Sequence, residues 1–275
     1  MKICNFINRV FGYLERKIYS RWFNPFATIY LNFRTLSLKQ AIKFPIFVYG
    51  RVKFYSLSGN IIINGNINTG MIKLGRHDDI YDHSPYGIIS LSKNAKIIFN
   101  GYCSIAAGYI WRIHDKGQLS IGEFSGFGNS CKIFCSNNIE IGKYSRIAYN
   151  CILMDTNSHF SIDLIKKQIA NKIGVIKIGD KSWIGNNCRI LKGCKIGTGS
   201  IVATGSMVNK DYSSFKKSLL AGTPAKVKYE GITRCFSFTL EKEINKYFES
   251  NPQTDTMLYD KEFIDPVEDL IQFFK

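Results

Sequence analysis

Acidic side chains are scarce in this 275-residue chain: 21 Asp and Glu stand against 37 Lys and Arg, a formal net charge of +16 at pH 7. Proline is scarcer still, at six residues, and the 23 glycines follow no Gly-x-y period, which excludes a collagen-like chain. No run of roughly 18 apolar residues occurs, because Lys, Arg or Asn interrupts every long stretch, so no segment reads as a membrane-spanning helix. Near the start, Lys2, Arg9, Glu15, Arg16 and Lys17 break up any signal-peptide core, and no small-residue cleavage site follows; a cytoplasmic location is expected. The eight cysteines (Cys4, Cys103, Cys131, Cys135, Cys151, Cys188, Cys194 and Cys235) form no CxxC pair and no Cys/His cluster with zinc spacing. They read as reduced thiols, and no metal is expected. Also missing are a GxSxG elbow and any helix-turn-helix, zinc-finger or ribonucleoprotein motif, so no nucleic-acid partner is expected.

What is present suffices for a packed core: 45% of residues are apolar and 14% aromatic. The charge is uneven. Residues 1–53 hold ten Lys and Arg against one acid, Glu15, whereas residues 231–275 hold five bases and nine acids.

A six-residue period governs the middle of the chain. Its leading positions are Ile121, Phe127 and Ile133, then Ile141, Ile147 and Leu153, then Ile178, Ile184, Ile190, Ile196, Val202 and Val208. The next position is Gly or Ala in eight of these twelve hexads, among them Gly122, Gly142, Ala148, Gly179, Gly185, Gly197 and Ala203. The fifth is Ser or Cys in nine of the twelve, including Ser125, Cys131, Ser145, Cys151, Ser182 and Cys188. A period of six suits neither a helix of about 3.6 residues per turn nor the two-residue alternation of a simple strand. It suits a coil of short strands with a bend every six residues, an aliphatic side chain pointing to the axis, and a small residue filling each corner. Glycine fits strained corner geometry. Three hexads close a triangular turn, and turns stack at about 4.8 Å, the ordinary strand spacing. A parallel β-helix is therefore expected, beginning near residue 58 and ending near 229. Leu91, Ile97, Ile61, Ile63 and Ile67 suggest looser coils upstream of the regular repeat.

The flanks differ from the repeat. Ile3, Ile7, Val10, Leu14 and Ile18 make an amphipathic helical stripe over residues 2–23. Residues 238–249 and 265–274 read as helices. The expected organisation is thus a basic, partly helical segment over 1–57, the coil over 58–229, and a helical extension over 230–275.

Solenoids carry their chemistry where the regularity fails. The largest failure lies between the hexads of Leu153 and Ile178. It begins Asp155-Thr156-Asn157-Ser158-His159-Phe160 and extrudes a loop over 159–175. His159 stands where coil meets loop, with Asp155 and Asn157 beside it. An imidazole titrates near neutrality and can take the proton of an attacking hydroxyl. One base and no local nucleophile suffice when the electrophile arrives activated, as a thioester does.

From Ile176 to Gly193 the chain reads Ile-Lys-Ile-Gly-Asp-Lys-Ser-Trp-Ile-Gly-Asn-Asn-Cys-Arg-Ile-Leu-Lys-Gly. Gly205-Ser206-Met207-Val208-Asn209-Lys210-Asp211 and Ala221-Gly222-Thr223-Pro224-Ala225-Lys226 follow. Together these segments resemble the hexapeptide-repeat acetyltransferases across about residues 119–229. The Met154–His159 run is most similar to the loop of the polysaccharide O-acetyltransferases, and residues 30–46 resemble, more weakly, N-terminal segments of capsule and lipopolysaccharide acyltransferases. The resemblance implies an all-β, left-handed parallel β-helix, a homotrimer, and acetyl-CoA lying between adjacent prisms. It implies His159 as the base, with Asp155 or Asn157 in support. It implies Trp183 beside the thioester, Thr204, Gly205 and Ser206 along the pantetheine arm, and Lys210 and Lys226, with Lys228, toward the phosphates. Thr204 stands where the family has Ala, Asn209 where it has Thr, and Asn157 where the polysaccharide group often has Asp. Each residue also has a plain structural reading: Trp183 as a coil edge, Gly205 and Ser206 as corner residues, and the lysines as solvated charges.

The expected activity is O-acetylation of a sugar hydroxyl in a bacterial surface polysaccharide or its precursor. An N-acetyltransferase on an amino sugar is the nearest alternative. A γ-type carbonic anhydrase needs three converging histidines, for which only His77, His83 and His114 remain; a non-catalytic scaffold is the other class. The basic N-terminal stripe suggests peripheral contact with an anionic membrane, against the alternative that it packs over the end of the coil.

Overall fold

The computed structural model describes residues 22–76 and 86–259. Cys4, His77, His83, the expected 265–274 helix and all but the last two residues of the 2–23 stripe lie outside the described residues.

The described chain starts with two helices, α1 (Pro25–Thr35) and α2 (Leu38–Ala41). Asn24 caps α1 by accepting the Ala27 N–H at 3.0 Å, and Pro25 occupies the first turn, where a missing N–H is harmless. The helix then closes the open end of the coil. Strand β1 (Ile46–Val48) would otherwise leave a bare edge. Asn32 of α1 substitutes for a pairing strand: its amide donates to the Ile46 carbonyl at 2.7 Å and its oxygen accepts the Ile46 N–H at 3.2 Å. The Thr28 hydroxyl accepts the Val48 N–H at 3.0 Å.

From β1 the chain winds through β2 (Arg51–Leu57) and β3 (Asn60–Ile63), then repeats the three-strand circuit. Along the coil each strand up to the closing pair pairs in parallel with the strand one coil away. One sheet has nine strands and the other two have seven. Within the first sheet, Ser125 stands opposite Cys103 and Gly126 opposite Arg146; within the third, Ile139 stands opposite Ile176. This is the expected three-sided parallel β-helix. All twelve leading hexad residues are buried, and with Ile46, Ile72, Ile89 and Ile97 they form one continuous core. The coil opens at Ile46 rather than near residue 58: Val48 and Phe54 stand in register with Leu74 and Ile89 of the next coil, but the third side, led by Ile63, does not follow at the six-residue spacing. It closes with β24 (Ser218–Gly222) and β25 (Ala225–Glu230), an antiparallel pair at the end of the first sheet. Helix α3 (Phe238–Ser250) follows where the sequence places one, capped by the Ser237 hydroxyl accepting the Leu240 N–H at 3.1 Å.

The corners correct one expectation. Most second-position glycines, such as Gly142 and Gly197, do not take the left-handed conformation; the fourth hexad position does. Phe124, Tyr144, Asn150, Lys181 and Asn187 all have φ between 55° and 60°, while Gly199 and Gly205 hold the same position later. The second-position glycine is required by proximity. A Cβ on Gly197 would lie 2.1 Å from the Phe215 carbonyl oxygen, and one on Gly142 would lie 2.4 Å from the Asp180 nitrogen. Those corner carbonyls face inward and need donors. The fifth-position side chain of the preceding coil supplies them: Ser125 to Gly142 O at 2.7 Å, Ser145 to Gly179 O at 3.1 Å, Cys131 to Ala148 O at 3.1 Å and Cys151 to Gly185 O at 3.1 Å. Ser and Cys alternate there because each is a small donor.

Two outcomes follow from the corners. Gly197→Ala should cost about 1–3 kcal/mol, the usual range for overpacking against groups that cannot yield, read as a lower urea midpoint with an unchanged slope. An unaltered midpoint would refute the close approach. The buried thiols should also be inert. The hydrogen bond with the Cys131 sulphur, together with burial, pushes Cys151 up to about 12, and burial pushes Cys194 up to about 12. Maleimide labelling of the native protein at about pH 8 should therefore leave both unmodified and, among the described cysteines, reach half-buried Cys235 first. Prompt labelling of Cys151 in native protein would contradict the packing.

Candidate functional site

The repeat opens after β14 (Ile152–Met154), and the opening is built on Asp155. This carboxylate is fully buried. One oxygen accepts the Ser136 N–H at 2.7 Å and the other accepts the Asn137 N–H at 2.8 Å, both from the preceding coil. The Cys135 thiol approaches the second oxygen at 3.6 Å; burial first, then the Asp155 charge, pushes that thiol up. The Asp155 carbonyl accepts the Gly174 N–H at 2.8 Å, so a single residue ties the exit of the loop to its return and both to the coil below.

Beyond it the chain leaves the prism as a two-stranded arm. Thr156 bridges Ile173, and the Asn157 N–H donates to the Lys172 carbonyl at 2.8 Å. The Thr156 hydroxyl accepts the Ser158 N–H at 3.0 Å, and Ser158 turns with φ at 60°. The His159 N–H then reaches back to the Asn157 carbonyl at 2.6 Å. Strands β15 (Ser161–Asp163) and β16 (Gln168–Ala170) pair antiparallel beyond. His159 therefore sits at the foot of the arm, exposed, where the arm departs from the coil. Asn157 lies next to it in the stem, also exposed. The Asp155 oxygens accept backbone N–H groups of the preceding coil, and no hydrogen bond joins its carboxylate to His159. The arm is apolar at its surface, with Leu164 83% and Ile165 94% exposed beside Phe160, Ile162 and Ile169.

The other candidate residues lie elsewhere on the prism. Strand β17 (Val175–Ile178) resumes the third sheet after the arm, so His159 belongs to the edge between the second and third sheets. Lys210 lies on that same edge, between β22 (Met207–Val208) and β23 (Asp211–Tyr212), and is exposed. Trp183, on β18 (Trp183–Ile184), points outward from the first sheet, the face opposite that edge. Thr204, Gly205 and Ser206 form the corner between the first and second sheets. Thr204 is exposed; Gly205 has φ at 74°; the buried Ser206 hydroxyl accepts the Gly222 N–H at 3.1 Å. Lys226 and Lys228 stand exposed on β25 at the end of the first sheet. One chain brings His159 and Lys210 to one edge and holds Trp183 on the face opposite.

Sequence reasoning missed two arginines at Trp183. The Arg234 guanidinium lies 5.4 Å from the centre of the Trp183 ring and 5.2 Å from that of Phe236. Arg146, opposite Trp183 in register, donates to the Phe124 carbonyl at 2.5 Å; burial, with the Arg234 charge, pushes it down to about 10. Arg234 follows the end of the repeat, so no register placed it. A shallow depression of about 580 Å³ lies on the third sheet, lined by Asn100, Glu140, Lys143, Lys177, Asp180 and Lys195, away from His159. Within it Lys177 pairs with Glu140 at 3.0 Å, and Lys195 pairs with Asp211, outside the lining, at 2.7 Å. His114 is exposed after β8 (Ile110–Ile113), on the same edge as His159 and two coils before it, and among the described residues no group of three or more His, Cys, Asp or Glu converges as a metal site.

No curated protein matches the chain. Among solved structures it is similar to the polysialic-acid-specific acetyltransferase NeuO, with 21% identity and a TM-score of 0.42 over 75% of this chain and 99% of that one. It is similar to a mutant of AntD, an N-acyltransferase from Bacillus cereus in complex with dTDP and coenzyme A, with 13% identity and a TM-score of 0.38 over 78% of this chain and 98% of that one. It is also similar to a maltose O-acetyltransferase from Clostridium difficile 630, with 24% identity and a TM-score of 0.35 over 50% of this chain and 67% of that one. Residues 176–210, from β17 through β22, match the family model described as bacterial transferase hexapeptide, six repeats. The coil thus carries, over residues 176–210, the hexapeptide repeat that this family model describes.

Proposed function

We propose that the protein is an acetyl-CoA-dependent O-acetyltransferase acting on a sugar hydroxyl of a surface polysaccharide or its precursor. The observation that carries this reading is the exposed imidazole of His159, set at the foot of an arm that Asp155 fixes to the coil. His159 takes the proton of the acceptor hydroxyl as its oxygen attacks the thioester carbonyl. The tetrahedral state then collapses, the carbon–sulphur bond breaks, and the imidazolium returns the proton to the departing thiolate. The products are the acetyl ester and the free thiol of coenzyme A, with no acyl-enzyme between.

Trp183 lies on the face opposite His159, so in this reading the site is completed by a neighbouring copy in a homotrimer. The neighbour's Trp183 lines the thioester end and its Thr204, Gly205 and Ser206 meet the pantetheine arm. Lys210 and Lys226 supply point charges to the phosphates. Asp155 is a positioning residue: two backbone N–H donors hold its carboxylate, and through it they hold the stem that carries His159.

His159→Ala should lower kcat about a hundredfold to ten-thousandfold, the usual contribution of a general base, with acetyl-CoA and an oligosaccharide acceptor as substrates and little change in the urea midpoint. Turnover equal to wild type would eliminate the role; transfer to amino sugars alone, in an acceptor screen, would replace it with N-acetylation. Asp155→Ala leaves the partly buried Ser136 and Asn137 N–H donors unmet, a loss of at most about 1–3 kcal/mol each. It should lower both the urea midpoint and kcat. Asp155→Asn keeps one acceptor oxygen and should recover part of both. In either variant the pH profile of kcat/KM should keep its wild-type position. A displaced profile would mean that the carboxylate acts on the imidazole directly.

A further inference from the structure

We propose that the N-terminal cap is a docking surface for an anionic lipid bilayer. Helix α1 is apolar on two opposite faces. Its inner face, with Ala27, Leu31 and Thr35, is buried against the first coil. Its outer face carries Phe26, Ile29, Tyr30 and Phe33 at helical spacing, all exposed, Phe26 at 82%. A helix that only closed the coil would need one apolar face. Leu38 of α2 is 69% exposed, and Ile42 just beyond α2 is exposed as well. The outer rings are held in place: Tyr30 lies against Phe54 at 5.6 Å and Phe33 against Phe44 at 5.8 Å.

Charge selects the occupant. Residues 22–57 contain no Asp or Glu. Arg34, Lys39, Lys43 and Lys53 are exposed around the apolar stripe, and Lys53 also lies over the Tyr55 ring at 4.7 Å. A second copy presenting the same patch would bring these cations together with no acid between them, which disfavours self-association across a two-fold. A nucleic acid would use the cations but leave Leu38, Ile42 and Ile29 without a partner. A bilayer of anionic headgroups over acyl chains satisfies both halves: aromatic rings and aliphatics enter the headgroup boundary while lysines and arginines stay at the charged surface. No described helix is long and apolar enough to cross a membrane, so the contact is peripheral. The surface lies at the opening end of the coil, well removed from His159, and stands independently of the acetyl-transfer reading.

Flotation of the full chain with phosphatidylcholine vesicles, with and without phosphatidylglycerol, tests this. The protein should float with the anionic vesicles, stay behind with the neutral ones, and lose binding as salt is raised. Phe26→Ser with Phe33→Ser should weaken flotation about tenfold or more, because two rings no longer leave water. Lys39→Glu with Lys43→Glu should weaken it by at least about tenfold. All four side chains are exposed, so unchanged urea midpoints will show that both variants fold. Equal flotation of wild type and both variants overturns the proposal. So does flotation that vanishes on removal of residues 1–21 yet survives both double variants, which assigns binding to that segment. Light scattering that finds the Phe26 and Phe33 variant as a smaller assembly, with no flotation of the wild type, makes a second copy the occupant instead.

Discussion

Everything in this molecule depends on how closely one coil's backbone lies on the next. Strand pairing sets the separation at the sheets, and at the corners it leaves no room for a Cβ: the Gly197 position is limited by the Phe215 carbonyl and the Gly142 position by Asp180. The same closeness turns corner carbonyls toward an apolar interior, where an unmet acceptor is costly. Hence the fifth position of each hexad must be both small and a donor. Ser125, Ser145 and Ser182 satisfy it through oxygen, Cys131, Cys151 and Cys188 through sulphur. The cysteines are thus interchangeable parts of a hydrogen-bond column.

This constraint explains why the chain can be opened only where something replaces the missing corner. At the opening after β14, the fourth-position bend and fifth-position donor of an ordinary hexad are absent. Asp155 takes over both tasks: its carboxylate binds two N–H groups of the coil below and its carbonyl binds Gly174 as the chain returns. A carboxylate accepting two backbone donors is a strong anchor. No hydrogen bond joins this carboxylate to the imidazole. His159 therefore owes its place to the stem, through Asn157 and Lys172, rather than to an acidic partner.

The coil was legible in the sequence because its period is strict and every hexad obeys the same packing rule. The first coil was not, because only Val48 and Phe54 keep the six-residue spacing there, and the third side, led by Ile63, breaks it. At the site, the position of His159 at the break was legible, since a break in a strict repeat is itself a signal. The role of Asp155 was not: adjacency along the chain suggested a pair with His159, while its true partners, Ser136 and Asn137, are near only after a full coil has been closed. Arg234 was hidden for a related reason. It follows the repeat, and its contact with Trp183 exists only because the chain folds back along the first sheet.

A triangular coil also dictates what one chain can assemble. One edge of the coil can gather residues from different coils, as it gathers His159 after β14 and Lys210 two coils later after β22, whereas a residue in the middle of a sheet faces away from the opposite edge. Trp183 is fixed by its register with Arg146 and Ile201 to the first sheet. No rotamer carries it round the prism to the edge between the second and third sheets. Chemistry that requires both groups must therefore be performed between two prisms, one offering its edge and the other its face. The apolar arm beyond His159, with Leu164 and Ile165 almost fully in solvent, extends from that edge and adds apolar surface to the side a second prism would approach.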